Sequence, residues 1–138
     1  HNMRYIILVS HGEFASGLHS SIKMIAGDRK NLLSLGLKTD MSIDSFAQHF
    51  KQLISCITKN DSIILLADII GGSPLTTALA VLSELNLLTN ARAFTGMNLP
   101  LSLSFVLNEY MDYDFILNEA KDSIQEIFLH IDEPDDEI

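Results

Sequence analysis

The sequence predicts an α/β protein with a doubly wound, mainly parallel sheet and helices on both faces. Short apolar runs alternate with segments of helical periodicity along the chain, which is typical of successive βαβ units. The first run, residues 5–9, is unbroken, as expected for a strand buried on both faces. A helical pattern follows it at once, and its shared apolar face comprises Phe14, Leu18, Ile22 and Ile25. The loops rich in glycine and polar residues come after strands.

Four strands and five helices are expected in alternation. The strands are predicted at residues 5–9, Leu32–Leu37, Ser62–Ala67 and 91–95. Asp40 or Ser42 is expected to cap the second helix, and Ser73 the third, with Pro74 in its first turn. The fourth helix runs to about Tyr110 and the fifth covers residues 112–123. With right-handed crossovers the common strand order is 2-1-3-4, which makes strands one and three neighbours at the switch point.

The C-terminal part of the chain holds one more strand candidate. Residues 127–131 are β-branched and aromatic, and they could pair antiparallel with the edge strand of their own sheet or with that of a second subunit. The acidic residues 132–138 are interpreted as a solvated tail. His1 and Asn2 precede Met3, the expected natural start, and are interpreted as an expression remnant. A single domain over residues 3–131 is therefore predicted.

Composition and charge exclude several classes of protein. Of the 138 residues, 47% are hydrophobic, which excludes general disorder, and the longest apolar runs are far shorter than the roughly 20 residues of a membrane span. The net charge is −9, and removing five acids of the last seven residues still leaves −4. Binding to nucleic acid or to anionic lipid is therefore not expected. One cysteine, Cys56, allows no internal disulfide, which fits a cytoplasmic protein.

A candidate site forms where the ends of strands one and three meet. Among His11, His19, His49 and His130, only His11 follows a buried strand. Asp68 ends strand three, where its carboxylate can fix the tautomer of His11 and leave the other ring nitrogen as a nucleophile. Gly71, Gly72 and Ser73 follow, and their N–H groups and hydroxyl suit a phosphoryl group at a helix N-terminus. Ser10, beside His11, is a further candidate for phosphoryl contact.

Other kinds of site fit less well. A serine hydrolase with Ser73, His11 and Asp68 as triad would need an oxyanion donor from the next residue, Pro74, which has no N–H. The histidines show no metal-ligand spacing, and neither a Walker lysine motif nor a GxGxxG motif occurs. No metal and no other cofactor is therefore predicted.

Three motifs in register carry a family resemblance. They are Val-Ser-His-Gly around His11, Asp-Ile-Ile-Gly-Gly-Ser-Pro from Asp68 and Gly-Met-Asn-Leu-Pro from Gly96. Together they resemble the mannose-type IIA component (mannose, fructose and sorbose family) of the bacterial phosphoenolpyruvate-dependent sugar phosphotransferase system. The resemblance implies that phospho-HPr phosphorylates His11, which passes the phosphoryl group to a histidine of the IIB component. It also implies that Asp68 orients the imidazole and that Ser73 lies near the phosphoryl group.

The resemblance also bears on partners. Some members carry an aromatic residue where this chain has Ile69-Ile70, and no IIB domain follows, so IIB is expected as a separate chain. Such a protein binds no sugar itself, is cytoplasmic with possible peripheral association with membrane components, and is expected to form a homodimer by strand exchange. Phe14 and Asn98 are candidates for partner docking, although Phe14 could equally belong to the core. A regulatory phosphohistidine module and the phosphotransfer subunit of a dihydroxyacetone kinase remain alternatives.

Overall fold

The computed structural model describes residues 2–110 and 112–130, and its centre is a four-stranded parallel sheet. The strand order is β2-β1-β3-β4, as the sequence predicts, so the α/β class and the sheet order are confirmed. The strands are β1 (Arg4–His11), β2 (Leu32–Leu37), β3 (Ser62–Ala67) and β4 (Ala91–Phe94). The helices are α1 (Phe14–Ala26), α2 (Ile43–Leu53), α3 (Ser73–Glu84), α4 (Leu99–Leu107) and α5 (Tyr113–Asp122), with a 3₁₀ turn at Leu88–Asn90.

The alternation of side chains along β1 divides the core into two layers. Successive strand residues point to opposite faces, so Ile7 and Val9 pack with α2 and α3, whereas Ile6 and Leu8 pack with α1, α4 and α5. Strands β1 and β3 are covered on both faces, which explains their unbroken apolar sequences. Each large side chain buried fully in this way contributes about 1.5–3 kcal/mol to folding.

Three helices begin with a side chain that accepts a hydrogen bond from the first turn. Ser42 caps α2, Asn98 caps α4 and Asp112 caps α5. Helix α3 differs, because its N-cap residue is Gly72, which has no side chain, and Ser73 is already the first helical residue. The prediction that Ser73 caps α3 was therefore wrong.

Several predicted boundaries shift by a few residues. Strand β1 continues through Ser10 to His11, β4 ends at Phe94, and α4 ends at Leu107 rather than near Tyr110. The apolar face of α1 is also narrower than predicted, since Leu18 and Ile22 are buried but Phe14 and Ile25 are 49% and 59% exposed. The buried stripe is centred on Ala15, Leu18 and Ile22, so that Phe14 and Ile25 lie on its outer edge.

The predicted fifth strand does not form within the described chain. Residues 124–130 have neither helix nor strand, and Ile131 lies outside the described residues. In the part of the chain that the structure describes, β4 pairs only with β3, so the alternative in which the segment pairs with its own edge strand is not observed there. A β-branched and aromatic composition indicates that a segment needs burial, but it does not say against which surface. Pairing with a second subunit stays a prediction.

Candidate functional site

His11 and Asp68 are in direct contact at the carboxyl edge of the sheet. Strand β1 ends at His11, and Asp68 is the first residue after β3. Because the parallel register pairs Val9 with Ala67, the residues that follow them lie side by side at the same edge of the sheet. Asp68 Oδ2 accepts a hydrogen bond from the backbone N–H of His11 at 2.9 Å and lies 2.8 Å from Nδ1 of the same residue. Asp68 Oδ1 accepts from the N–H of Ile69 at 2.9 Å. Both carboxylate oxygens are thus held in place.

The contact assigns different roles to the two ring nitrogens of His11. An ionised carboxylate only accepts hydrogen bonds, so Nδ1 carries the proton and Nε2 keeps its lone pair. Burial opposes the charge on Asp68, but hydrogen bonds from the His11 backbone, the His11 ring and the Ile69 N–H outweigh it and hold the pKa of Asp68 below its usual range. The His11 side chain is 48% exposed and that of Asp68 16%. The ring of His11 is therefore half exposed, whereas its acidic partner is largely covered.

The N-terminus of α3 adjoins the same ring. Gly71 turns the chain with φ at +80°, and Gly72 follows so close to His11 that a Cβ there would lie 2.7 Å from Cε1 and 3.4 Å from Nε2. No side chain caps this helix, Pro74 has no N–H, and the remaining first-turn N–H groups lack a partner within the helix. Ser73 is exposed at this end. The N-terminal end of the helix, which carries a partial positive charge, therefore begins next to the His11 ring.

Ser10 has a structural position. It is completely buried, and its hydroxyl donates to the carbonyl oxygen of His11 at 3.0 Å and accepts from the N–H of Ala15 at 2.7 Å. This arrangement ties the end of β1 to the first turn of α1, which has no side-chain cap of its own. The single proton of the hydroxyl is thus donated within the fold, and the phosphoryl contact of Ser10 stays a prediction.

Phe14 and Asn98 line one hollow beside the strand ends. Together with Leu18 and Leu99 they enclose about 460 Å³ between the first turns of α1 and α4. Phe14 belongs to the surface more than to the core, and Asn98 Oδ1 accepts from the N–H of Leu101 at 2.8 Å, so Asn98 also caps α4. Their role in docking stays a prediction.

Sequence reasoning gave no role to an exposed apolar pair at the site. Ile69 and Ile70 follow Asp68 directly and are 54% and 80% exposed. The sequence did carry a signal for this surface, because the two isoleucines stand between an acidic residue and a glycine pair. Loops at strand ends run over the protein surface, so both side chains would not be expected to be buried. They add apolar surface next to His11.

The other histidines on helices lie in different surroundings. His19 on α1 is half-buried, with Nδ1 2.7 Å from Ser34 Oγ, and His49 on α2 is exposed, with Nδ1 2.8 Å from the carbonyl oxygen of Ser45. Neither has an acidic partner among these contacts. Within residues 2–110 and 112–130, no helix is both long enough and apolar enough to cross a bilayer.

The structure is a doubly wound α/β sheet with a histidine in contact with an acidic residue at the switch point, which is where proteins of this class bind their ligands. Residues 5–124 match the family described as PTS system fructose IIA component, and the chain belongs to this family of sugar phosphotransferase IIA components. Its members are phosphotransfer components, and membership supports a role in sugar transport through that system and interaction with partners such as HPr and IIB.

Individual relatives agree with this assignment. The fructose-specific EIIA component of Bacillus subtilis is 28% identical over 124 residues, which span 89% of this chain and 83% of the relative. The IIA protein associated with the fucose utilization operon of Streptococcus pneumoniae is similar in structure, with a TM-score of 0.78, 29% identity and coverage of 89% and 92%. The mannose/sorbose-specific IIA subunit of Enterococcus faecalis shares the fold, with a TM-score of 0.79 at 18% identity and coverage of 95% and 99%.

Proposed function

We propose that the chain is a phosphocarrier in which Nε2 of His11 accepts a phosphoryl group from phospho-HPr and passes it to a histidine of a separate IIB protein. The observation that carries this proposal is the 2.8 Å contact between Nδ1 and Asp68, which leaves Nε2 as the available nucleophile on a half-exposed ring. Fixing one nitrogen selects the tautomer in which the other is reactive. The family assignment supports the same role.

The transfer balances without a further reactant. The lone pair of Nε2 attacks phosphorus, the phosphorus–nitrogen bond of the donor breaks, and its electron pair returns to the donor ring. The proton on Nδ1 stays in place, so phospho-His11 carries a positive ring charge next to the Asp68 carboxylate. Onward transfer to IIB is the same step with His11 as the leaving group. Positioning and charge stabilisation are what phosphoryl transfer chiefly requires of a protein.

The start of α3 supplies the matching anion site. The phosphoryl oxygens would meet the first-turn N–H groups behind Gly72, with the Ser73 hydroxyl as a neighbouring donor. Gly72 lies close to Nε2, since a Cβ built there would be 3.4 Å from this nitrogen. Gly71 contributes the left-handed turn that brings the helix end to this place.

The apolar surface around His11 suits a protein partner. Phe14 lies on one side in the hollow next to α4, and Ile69 and Ile70 lie in the loop that holds Asp68. A donor or acceptor protein that brings its histidine to Nε2 has to cover these side chains. Burial of such exposed apolar groups favours association.

The test measures both steps of the proposed transfer, acceptance of the phosphoryl group from phospho-HPr and its donation to IIB. The protein is incubated with labelled phosphoenolpyruvate, with the phosphocarrier that acts before HPr and with HPr itself. Its cognate IIB is then added. We expect label on the chain, loss of that label in acid, and movement of the label to IIB. Label that persists on His11 in the presence of IIB would favour the regulatory alternative, and absence of label would contradict the proposal.

We further propose that the protein is a homodimer that exchanges its C-terminal segment. The open edge strand β4 and the exposed apolar residues of the segment support this idea. The exposed residues are Ile124, Ile127, Phe128 and Leu129. Pairing of this segment with β4 of a second subunit would cover both surfaces, and each large apolar side chain buried adds about 1.5–3 kcal/mol.

Truncation tests the exchange. A chain that ends after Ile131 should remain dimeric in light scattering, because it keeps the whole segment. A chain that ends after Asp122, where α5 ends, should be monomeric or aggregate, although it keeps every helix and strand of the described fold. A monomeric longer chain at micromolar concentration would refute the exchange.

A further inference from the structure

The two glycines before α3 are glycines for different reasons. Gly71 has φ at +80°, a left-handed conformation that side chains disfavour, and a Cβ there would meet no atom within 4 Å. Gly72 has φ at −85° and ψ at 162°, an extended conformation open to any residue. At Gly72 the constraint is a neighbour, since an added Cβ would lie 2.7 Å from Cε1 of His11. The backbone therefore needs a glycine at the first position, and the His11 ring needs one at the second.

We propose that Gly72 is a positioning residue for His11. Because Gly72 has no Cβ, Cε1 of His11 can occupy the space where a Cβ would lie, and the ring stays in contact with Asp68. The inference rests on the proposed function for its effect on transfer, but the placement of the ring is a property of the free protein. Two contacts define the ring position, the 2.8 Å contact of Nδ1 with Asp68 and the packing of Cε1 on Gly72. Neither alone fixes the direction of Nε2.

A single methyl group at position 72 would disturb this arrangement. Carbon atoms in ordinary contact are at least about 3.4 Å apart, so a Cβ at 2.7 Å forces a movement. The ring of His11 is the more mobile partner, because it is half exposed and stands at a strand end, whereas Gly72 is tied to the helix by the bond from the Thr76 N–H to its carbonyl oxygen at 3.0 Å. The ring therefore moves, its hydrogen bond to Asp68 weakens, and the direction of Nε2 changes.

The experiment is the variant Gly72→Ala, examined by long-range ¹H–¹⁵N correlation spectra of the histidine rings in the free protein. At a pH well above the ordinary histidine range, wild-type His11 should show the Nδ1–H tautomer. In Gly72→Ala we expect this preference to be lost and the ring signals to shift. His19 lies on α1 and contacts Ser34 of β2, away from position 72. Its signals should stay unchanged and report an intact fold.

A matched control and a rate measurement complete the test. Gly17→Ala makes the same chemical change on α1, at a place where a Cβ meets no atom within 4 Å, and should leave the His11 ring signals unchanged. The rate of phosphorylation of Gly72→Ala by phospho-HPr should fall by roughly tenfold to a hundredfold, as is typical for a misplaced reacting group.

The outcomes separate the two proposals. A Gly72→Ala protein with wild-type His11 ring signals would overturn the positioning role, whatever its rate. Altered ring signals with intact His19 signals and slower labelling would support it. If the wild-type protein takes up no label at all, the proposed function fails, and the ring signals of Gly72→Ala still decide the positioning role.

Discussion

His11 and His19 are close in sequence, but their environments differ in the one respect that matters for chemistry. His11 stands at a strand end, half exposed, with Nδ1 against a carboxylate whose pKa is lowered. His19 lies on α1, half-buried, with Nδ1 against the hydroxyl of Ser34. Burial lowers the pKa of His19, and of the two smaller charge effects Asp28 raises this pKa while Lys23 lowers it further. A carboxylate stabilises a positive charge on the ring more than a hydroxyl does, so of these two rings that of His11 is the better suited to the proposed phosphoryl transfer.

The largest expected difference between the two histidines is in labelling. His11→Ala should take up no label from phospho-HPr, because the nucleophile is gone. His19→Gln, which keeps a polar group near Ser34, should be labelled at close to the wild-type rate. Phosphoenolpyruvate-dependent labelling followed by gel autoradiography measures both. Label on His11→Ala would assign the reaction to another residue.

The second prediction concerns the partners of the two rings. Asp68→Asn should slow labelling by roughly tenfold to a thousandfold, because the amide supplies no charge and can donate to Nδ1, which favours the wrong tautomer. Ser34→Ala removes the partner of His19 and should change the rate little. Initial rates with phospho-HPr, compared with circular dichroism of both variants, provide the measurement. Equal rates for Asp68→Asn and wild type would reduce Asp68 to a structural cap of the loop.

The sequence was sufficient for the parts of the fold that depend on local patterns. The unbroken apolar runs of β1 and β3 predict strands buried on both faces, and the strand order 2-1-3-4 then brings the ends of these two strands together. The proximity of His11 and Asp68 follows from that order alone. The side-chain cap at Ser42, one of the two candidates that the sequence offered for α2, is likewise a local signal.

What the sequence could not provide depends on contacts between distant segments. Ser73 looks like a helix cap, but Gly72 is the N-cap residue of α3 and Ser73 is its first helical residue. Ser10 looks like a site residue, but its neighbour Ala15 takes the hydroxyl as a cap. Residues 127–131 have the composition of a strand, but residues 124–130 of the described chain form neither helix nor strand and are exposed.

The smallest expected difference between the two histidines appears in the pH dependence of stability. Burial lowers the pKa of His19 in the folded protein. Just below pH 6.5, the ordinary pKa of about 6.5 for a histidine, the unfolded chain therefore binds a proton at His19 and the folded chain does not. The free energy of unfolding should therefore rise as the pH increases through this range. His19→Gln lacks this contribution, while His11 and all other groups contribute equally to both proteins. Urea unfolding at about pH 5 and about pH 8 should show a larger rise in midpoint for wild type than for His19→Gln. Equal rises would mean that the contact with Ser34 and the burial of His19 carry no proton linkage.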